Sequence, residues 1–310
     1  MHAVLIATRR LPPRSVIARD EQFGWCVSSP EGLLLAVDAN LEDIARFKLP
    51  ADAFGTHGIR PSLDLAVVSA ESRVVAIDRD GMVLWEVHHP AWGGSDSERG
   101  SCWFSADGLY VWAHVPTSRG PDEWILIEGS TGALVGRVAL ACYSAGSSFI
   151  RHPNSNMVGL SVGEGQDGSE TYFGRVEDGQ PVVERLDDRT RVLVSFSPDG
   201  DYFLTTPHSE GPLQLHRLSD GAVITSLDAE AALDAGSGFD FYGGFVDLSF
   251  VLFTAAERDE VFLAGVPHLD NVQTVTLPLK RAGDPVEVIP GGFLTSDWMT
   301  GETALWQVSP

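Results

Sequence analysis

Arg191 to Leu227 reads RVLVSFSPDGDYFLTTPHSEGPLQLHRLSDGAVITSL, and its turns are written into it. RVLVSF is a strand. Ser197-Pro198-Asp199-Gly200 then specifies a type I turn, in which Pro198 sets φ at the first central position and Gly200 relieves the exit. DYFLTTP forms a second strand. Past the polar tip His208-Ser209-Glu210-Gly211 comes a third, PLQLHRL, and Asp220-Gly221 turns the chain into a fourth, AVITSL. A sheet of four short strands cannot hide both of its faces. The stretch is therefore one unit of a structure that needs copies to stack against.

Copies are present. Phe104-Ser105-Ala106-Asp107-Gly108 nearly repeats Phe196-Ser197-Pro198-Asp199-Gly200, and His152-Pro153-Asn154 holds the same place between them. The turn before each fourth strand recurs as Asp80-Gly81, Thr131-Gly132, Asp178-Gly179, Asp220-Gly221 and Asp270-Asn271, at intervals of 42 to 51 residues. This pattern resembles the WD-repeat type of β-propeller. Trp85-Glu86 and Trp306-Gln307 stand where that family has Trp-Asp, and no Gly-His pair opens a blade, so the family's buried hydrogen-bond tetrad is not expected. The resemblance implies an all-β chain forming a single β-propeller domain over residues 1–310. It has seven four-stranded blades, and the ring closes by pairing the N-terminal strand with the last blade. The alternative count is six blades with a separate N-terminal segment.

Residues 1–61 hold blade one, with strands at Phe23–Val27 and Leu33–Val37, and a Ser29-Pro30-Glu31-Gly32 turn that fits either of two hairpins. Blade two, Leu63–Val87, resembles a quinoprotein-type blade in its Ala-Ile-Asp and Leu-Trp. Blade three runs from Ser101 and blade four covers Ser147–Leu186; the opening stretch is blade five. Asp228 to Gly236 has an N-cap candidate, good helix formers and a closing glycine, which predicts a short helix. Blade six is Phe239–Leu277. Blade seven starts at Pro285 and runs out at Trp306-Gln307-Val308 with three strands, so Ala3–Ala7 is expected to supply the fourth.

The 310 residues are 44% apolar, ample for a core, and carry 43 acidic against 21 basic side chains. Nucleic acid and anionic membrane surfaces need clustered Lys and Arg, which this balance argues against. Two lysines, Lys48 and Lys280, against nineteen arginines point to coding in a GC-rich bacterial genome. The N-terminus lacks the charge order of a secretory signal, and no stretch approaches membrane-spanning length. Cys26, Cys102 and Cys142 are too scattered for a disulfide framework or a Cys-x-x-Cys pair. A cytoplasmic protein with buried thiols is the expectation.

Gly163-Glu164-Gly165-Gln166-Asp167-Gly168 matches the dinucleotide fingerprint letter for letter. The fingerprint works through a helix N-terminus, however, and here a strand pattern follows while carboxylates sit inside the loop, so it reads as a hairpin tip. With Glu170 the loop offers oxygen ligands to Ca²⁺ but lacks the recognised spacing. No phosphate loop, His-Glu-x-x-His or Gly-x-Ser-x-Gly occurs. No cofactor is expected.

In a propeller, the loops joining second to third strands lie at one rim with the loops between blades. In blades three to seven the former carry Asp122, Glu123, Glu164, Asp167, Glu170, Glu210, Glu257, Asp259, Glu260, Asp297 and Glu302 against Arg119 and Arg258. Such a field draws cations or a basic protein surface. Trp92, Trp124 and Trp298 fall at the same rim, where Trp serves as a binding anchor; Trp85, Trp103 and Trp112 sit inside strand patterns and read as core. His88, His89, His114 and His208 also fall there and are candidates for acid–base or ligand contacts, although their spacing lacks the closeness of a zinc signal, and no metal is expected. The leading reading is a non-catalytic module binding a basic or extended protein segment on this acidic, Trp-bearing face. The rival is a lyase, isomerase or hydrolase, or a small-molecule binder, with its site at the mouth of the central channel.

Overall fold

A computed structural model describes residues 1–93, 99–143, 146–153, 156–165, 168–233, 237–256, 260–277 and 284–309. The described residues form seven four-stranded antiparallel sheets, so the seven-blade count holds and the six-blade alternative falls. Two compact units divide it: Asp20–Arg189, and Met1–Arg19 together with Thr190–Pro310.

In the first unit, β3 (Gly24–Ser29), β4 (Leu33–Val37) and β5 (Asp43–Lys48) belong to one sheet, and β2 (Val16–Asp20), the sheet's first strand, has only Asp20 in this unit. The Ser29–Gly32 turn joins β3 to β4, pairing Ser29 with Leu33, which settles the register that the sequence left open. The second sheet is β6 (Gly58–Ile59), β7 (Ala66–Ser69), β8 (Arg73–Ile77) and β9 (Val83–His88). The third is β10 (Cys102–Phe104), β11 (Tyr110–Val115), β12 (Glu123–Glu128) and β13 (Leu134–Ala139). The fourth is β14 (Gly146–Arg151), β15 (Val158–Gly163), β16 (Ser169–Glu177) and β17 (Gln180–Arg185).

In each sheet the second and third strands are more buried than the fourth, for a physical reason. Every residue of β7 is buried, because Ala66, Val67 and Val68 meet a neighbouring layer on both faces, and such strands read as continuous apolar runs. In β9, the fourth strand, only Trp85 is buried. Val67, Val74 and Trp85 pack against Phe104, Val111 and Ile125 of the third sheet. Trp112, Trp124 and Leu126 pack against Val158, Leu160 and Tyr172 of the fourth. Each such aliphatic residue, fully buried, contributes about 1.5–3 kcal/mol.

One ion pair is buried in this unit without a sequence motif to announce it. Arg151 lies 2.9 Å from Asp20, with both side chains almost fully covered. Its guanidinium donates to the Phe104 carbonyl at 3.1 Å and covers the Trp103 ring.

The second unit contains β18 (Arg191–Phe196), β19 (Tyr202–Pro207), β20 (Leu213–Arg217) and β21 (Val223–Leu227), which form the sheet read from the opening stretch. Helix α1 (Ala229–Ala232) follows. It is the short helix expected there, one turn long; Asp228 makes no side-chain cap bond, and residues 234–236 lie outside the described residues. The next sheet is β22 (Phe239–Phe245), β23 (Phe250–Ala255), β24 (Val261–Gly265) and β25 (Asp270–Thr274). The last joins β26 (Asp284–Ile289), β27 (Gly292–Ser296) and β28 (Glu302–Ser309) to β1 (His2–Arg10). β1 and β28 pair from His2 with Ser309 to Arg10 with Glu302, so the N-terminal strand does complete the final sheet.

The repeated turns repeat in geometry. Ser105 Oγ donates to Asp107 Oδ1 at 2.6 Å and accepts from the Tyr110 N–H at 3.0 Å. Ser197 does the same with Asp199 and Tyr202, at 2.6 and 2.9 Å. Gly108 and Gly200 close these turns at φ +70° and +82°, where a side chain would be strained. Among the described residues, no helix is long and apolar enough to cross a membrane.

Candidate functional site

In the unit holding β18–β28, one strand departs from its ladder. Phe239 pairs with Ala255, but the next paired residue on β22 is Gly243, opposite Phe253, so Asp240, Phe241 and Tyr242 together face Thr254 alone. A bulge re-aims side chains away from the sheet. Phe241 and Tyr242 are accordingly 49% and 40% exposed, on what would otherwise be a buried first strand. The His208 ring, from the β19–β20 loop, stands 6.1 Å from that of Phe241. The β27–β28 loop presents Trp298 and Met299, 54% and 68% exposed. Its frame is rigid: Asp297 accepts the N–H groups of Met299 and Thr300 at 2.8 and 2.9 Å, and Arg14 N–H donates to the Trp298 carbonyl at 2.9 Å. Those backbone donors hold the Asp297 carboxyl below its ordinary range. Glu210 and Glu260 are exposed on the corresponding loops, and Glu302 is exposed at the start of β28. Nothing in the FDFYGGF pattern marked Phe241 or Tyr242, since the bulge is decided by the pairing with β23.

In the unit Asp20–Arg189, the predicted rim residues fall differently. Trp124 is fully buried, its ring 4.6 Å from Trp112, and is core rather than a contact residue. Trp92 is 3% exposed and anchors its loop instead of offering a surface. It lies edge-on to His114 at 5.3 Å, above Gly100, where a Cβ would come within 2.5 Å of its ring. Glu164 is bound by Arg189 at 2.5 Å. Arg189 also reaches the buried Glu170 at 2.6 Å, opposing the upward push of burial on that carboxyl. This stretch of the rim is thus partly neutralised by its own arginines. Asp167, Glu257 and Asp259 lie outside the described residues.

The four histidines do not cluster. His88 is exposed beside Glu86, at 3.2 Å. His89 is half-buried, with Nδ1 2.6 Å from the Pro90 carbonyl, and burial lowers its pKa. Both line a half-open cleft of about 260 Å³ with Pro90, Thr117, Glu123 and Arg137. Arg137 is bonded to Glu123 at 2.9 Å.

His114, expected at the rim, is completely buried at the end of β11. Its Nε2 lies 3.2 Å from Asp122 Oδ2 and 4.0 Å from Cys142 Sγ. On its other side, Nδ1 is 2.8 Å from Ser147 Oγ, which is 2.6 Å from Ser101 Oγ. A buried hydrogen-bonded network of Asp122, His114, Ser147 and Ser101 therefore joins the third sheet to the first strand of the fourth.

No family model matches the sequence, and no curated protein does. Solved structures do, in 1009 chains, so the fold is a common one and carries no activity with it. One of them is the β-propeller domain of Cps50 (Swd1) from Myceliophteria thermophila. It matches with a TM-score of 0.64 and 10% identity, over 97% of this chain and 99% of that one. The fold is a seven-bladed β-propeller.

Proposed function

We propose that this propeller is a protein-interaction module whose loop face on the β18–β28 unit receives an extended, basic segment of a partner. The observation that carries the reading is the β22 bulge, which turns Phe241 and Tyr242 out of a first strand into solvent beside His208. Rigid aromatic groups bury much area at small entropic cost, which is why they dominate binding energetics. The acidic side chains Glu210, Glu260 and Asp297 supply the charge that selects a basic partner and speeds its encounter. Trp298 belongs to this surface, whereas Trp92 and Trp124 do not. Asp167, Glu257 and Asp259 enter on sequence position alone. The cleft beside His88 and His89 gives the enzyme reading little support, because it lies by the fourth strands of two blades and its Arg137 and Glu123 bind each other.

The test is an array of basic peptides, with acidic and uncharged sets as controls, followed by anisotropy titration of the best binder. Phe241→Ala with Tyr242→Ala is expected to weaken binding at least about tenfold, roughly 1.4 kcal/mol, as for a hot-spot pair. Equal affinity in wild type and variant, or a preference for acidic peptides, would remove the proposal.

A further inference from the structure

His114, Asp122 and Cys142 come from three separate segments: the end of β11, the β11–β12 loop and the segment between β13 and β14. Their ligand atoms all lie within 4.8 Å of one another. We infer that these three side chains bind a borderline divalent cation, Zn²⁺ first, at the loop end of the third sheet.

Geometry is the first argument. Zinc binds His N, carboxylate O and Cys S at about 2.0–2.3 Å, so a tetrahedron has N···O and N···S edges of about 3.4 and 3.6 Å. The corresponding separations are 3.2 and 4.0 Å, so movements of a few tenths of an ångström bring all three donors onto one ion. The donor chemistry selects the metal: one thiolate, one imidazole and one carboxylate suit Zn²⁺ or Co²⁺, whereas Ca²⁺ and Mg²⁺ need all-oxygen sets.

The surroundings are those of a metal-ligating histidine. Such a ring hydrogen-bonds through its second nitrogen, which fixes the tautomer and its orientation. Here Nδ1 meets Ser147 Oγ, itself bonded to Ser101 Oγ, while the Trp92 edge holds the ring plane. The Nε2–H that donates to the Asp122 carboxylate is displaced when a cation takes its place, and Nδ1–H then donates to Ser147 Oγ, the tautomer that leaves the Nε2 lone pair to the ion. Burial first, then the nearby Asp122, Glu164 and Glu170, push the Cys142 thiol up, so the ion must displace its proton, while the same negative charge draws the cation in. Three protein ligands leave the fourth position to water. The ion would tie two loops to the end of β11.

The experiment uses the full chain, freed of metal by chelation and titrated anaerobically with Co²⁺ and then Zn²⁺. One Co²⁺ per chain with a sulfur-to-cobalt charge-transfer band, displaced by Zn²⁺, is the expected result. Cys142→Ala should lose the band. Ser147→Ala, which leaves every ligand in place, should lower affinity about 10–100-fold, as changes behind a metal-bound histidine do. His88→Ala with His89→Ala should change nothing. Absence of a stoichiometric sulfur-to-cobalt band in the wild type would overturn the inference whatever the variants do. So would undiminished binding by Cys142→Ala.

Discussion

His57 shows how one residue's surroundings set a property of the whole stability curve. It is 4% exposed, and its Nδ1 accepts the Ser69 N–H at 3.3 Å, an arrangement that needs the neutral ring. Burial pushes its pKa from 6.5 down to about 4, with a backbone hydrogen bond at Thr56 opposing. The unfolded chain therefore binds the proton more readily. Stability from this residue is fully present above about pH 6.5 and is lost as pH falls toward 4, by roughly 3 kcal/mol for a shift of this size. In His57→Asn, whose Oδ1 can take the place of Nδ1, urea midpoints between pH 7 and 4 should fall less steeply than in the wild type. Parallel curves would mean that the ring is not the titrating group. Trp92 and Trp124 teach the complementary lesson. Each sits at the rim by sequence position, yet both are buried because glycines make room for them. A Cβ at Gly100 would strike the Trp92 ring, and one at Gly174 would come within 2.7 Å of the Trp124 ring. Exposure depends on a partner residue distant in sequence, which local pattern does not disclose.

At the scale of elements, the repeating parts were legible because their chemistry is local. Ser105 and Ser197 each bond an Asp two residues on, so near-identical sequences give near-identical turns. The closing strand was legible for a different reason: the last unit lacked a fourth strand, and the first residues had the apolar pattern to supply it. β1 buries Ala3 against Val246, Val288 and Trp306, while Val4 and Ile6 are about half exposed. Removing residues 1–8 would strip the ladder from β28 and leave its edge open. The melting temperature should drop by roughly 10 °C, several kcal/mol on the usual conversion, and the truncated chain should aggregate more readily. An unchanged melting curve would show that β1 contributes nothing to closure. The β22 bulge was not legible, because its strand pattern is sound on both sides. Gly243 and Gly244 let the strand pass close to Leu252 and Ser195, where a Cβ would come within 3.0 and 3.2 Å, and that constraint is tertiary.

At the scale of the molecule, the formal charge of −22 acts on stability and on association in opposite senses. Like charges on one chain repel and weaken the compact state, while the same charges attract a basic partner. Salt screens both. Raising NaCl from about 0.01 to about 1 M shortens the screening length from about 30 to about 3 Å. The melting temperature should therefore rise over that range as self-repulsion is damped. Affinity for a basic peptide should fall over the same range, by about tenfold or more where several charges meet. A general effect of salt on apolar burial would strengthen both folding and aromatic contact, so it cannot produce opposite trends. The Phe241→Ala, Tyr242→Ala variant separates the contributions further: its salt slope should match that of the wild type while its affinity is lower throughout, because the aromatic groups carry no charge. A peptide affinity that held constant or increased with salt would place the binding energy in the aromatic surface alone, leaving the acidic loops to act on solubility rather than on partner choice.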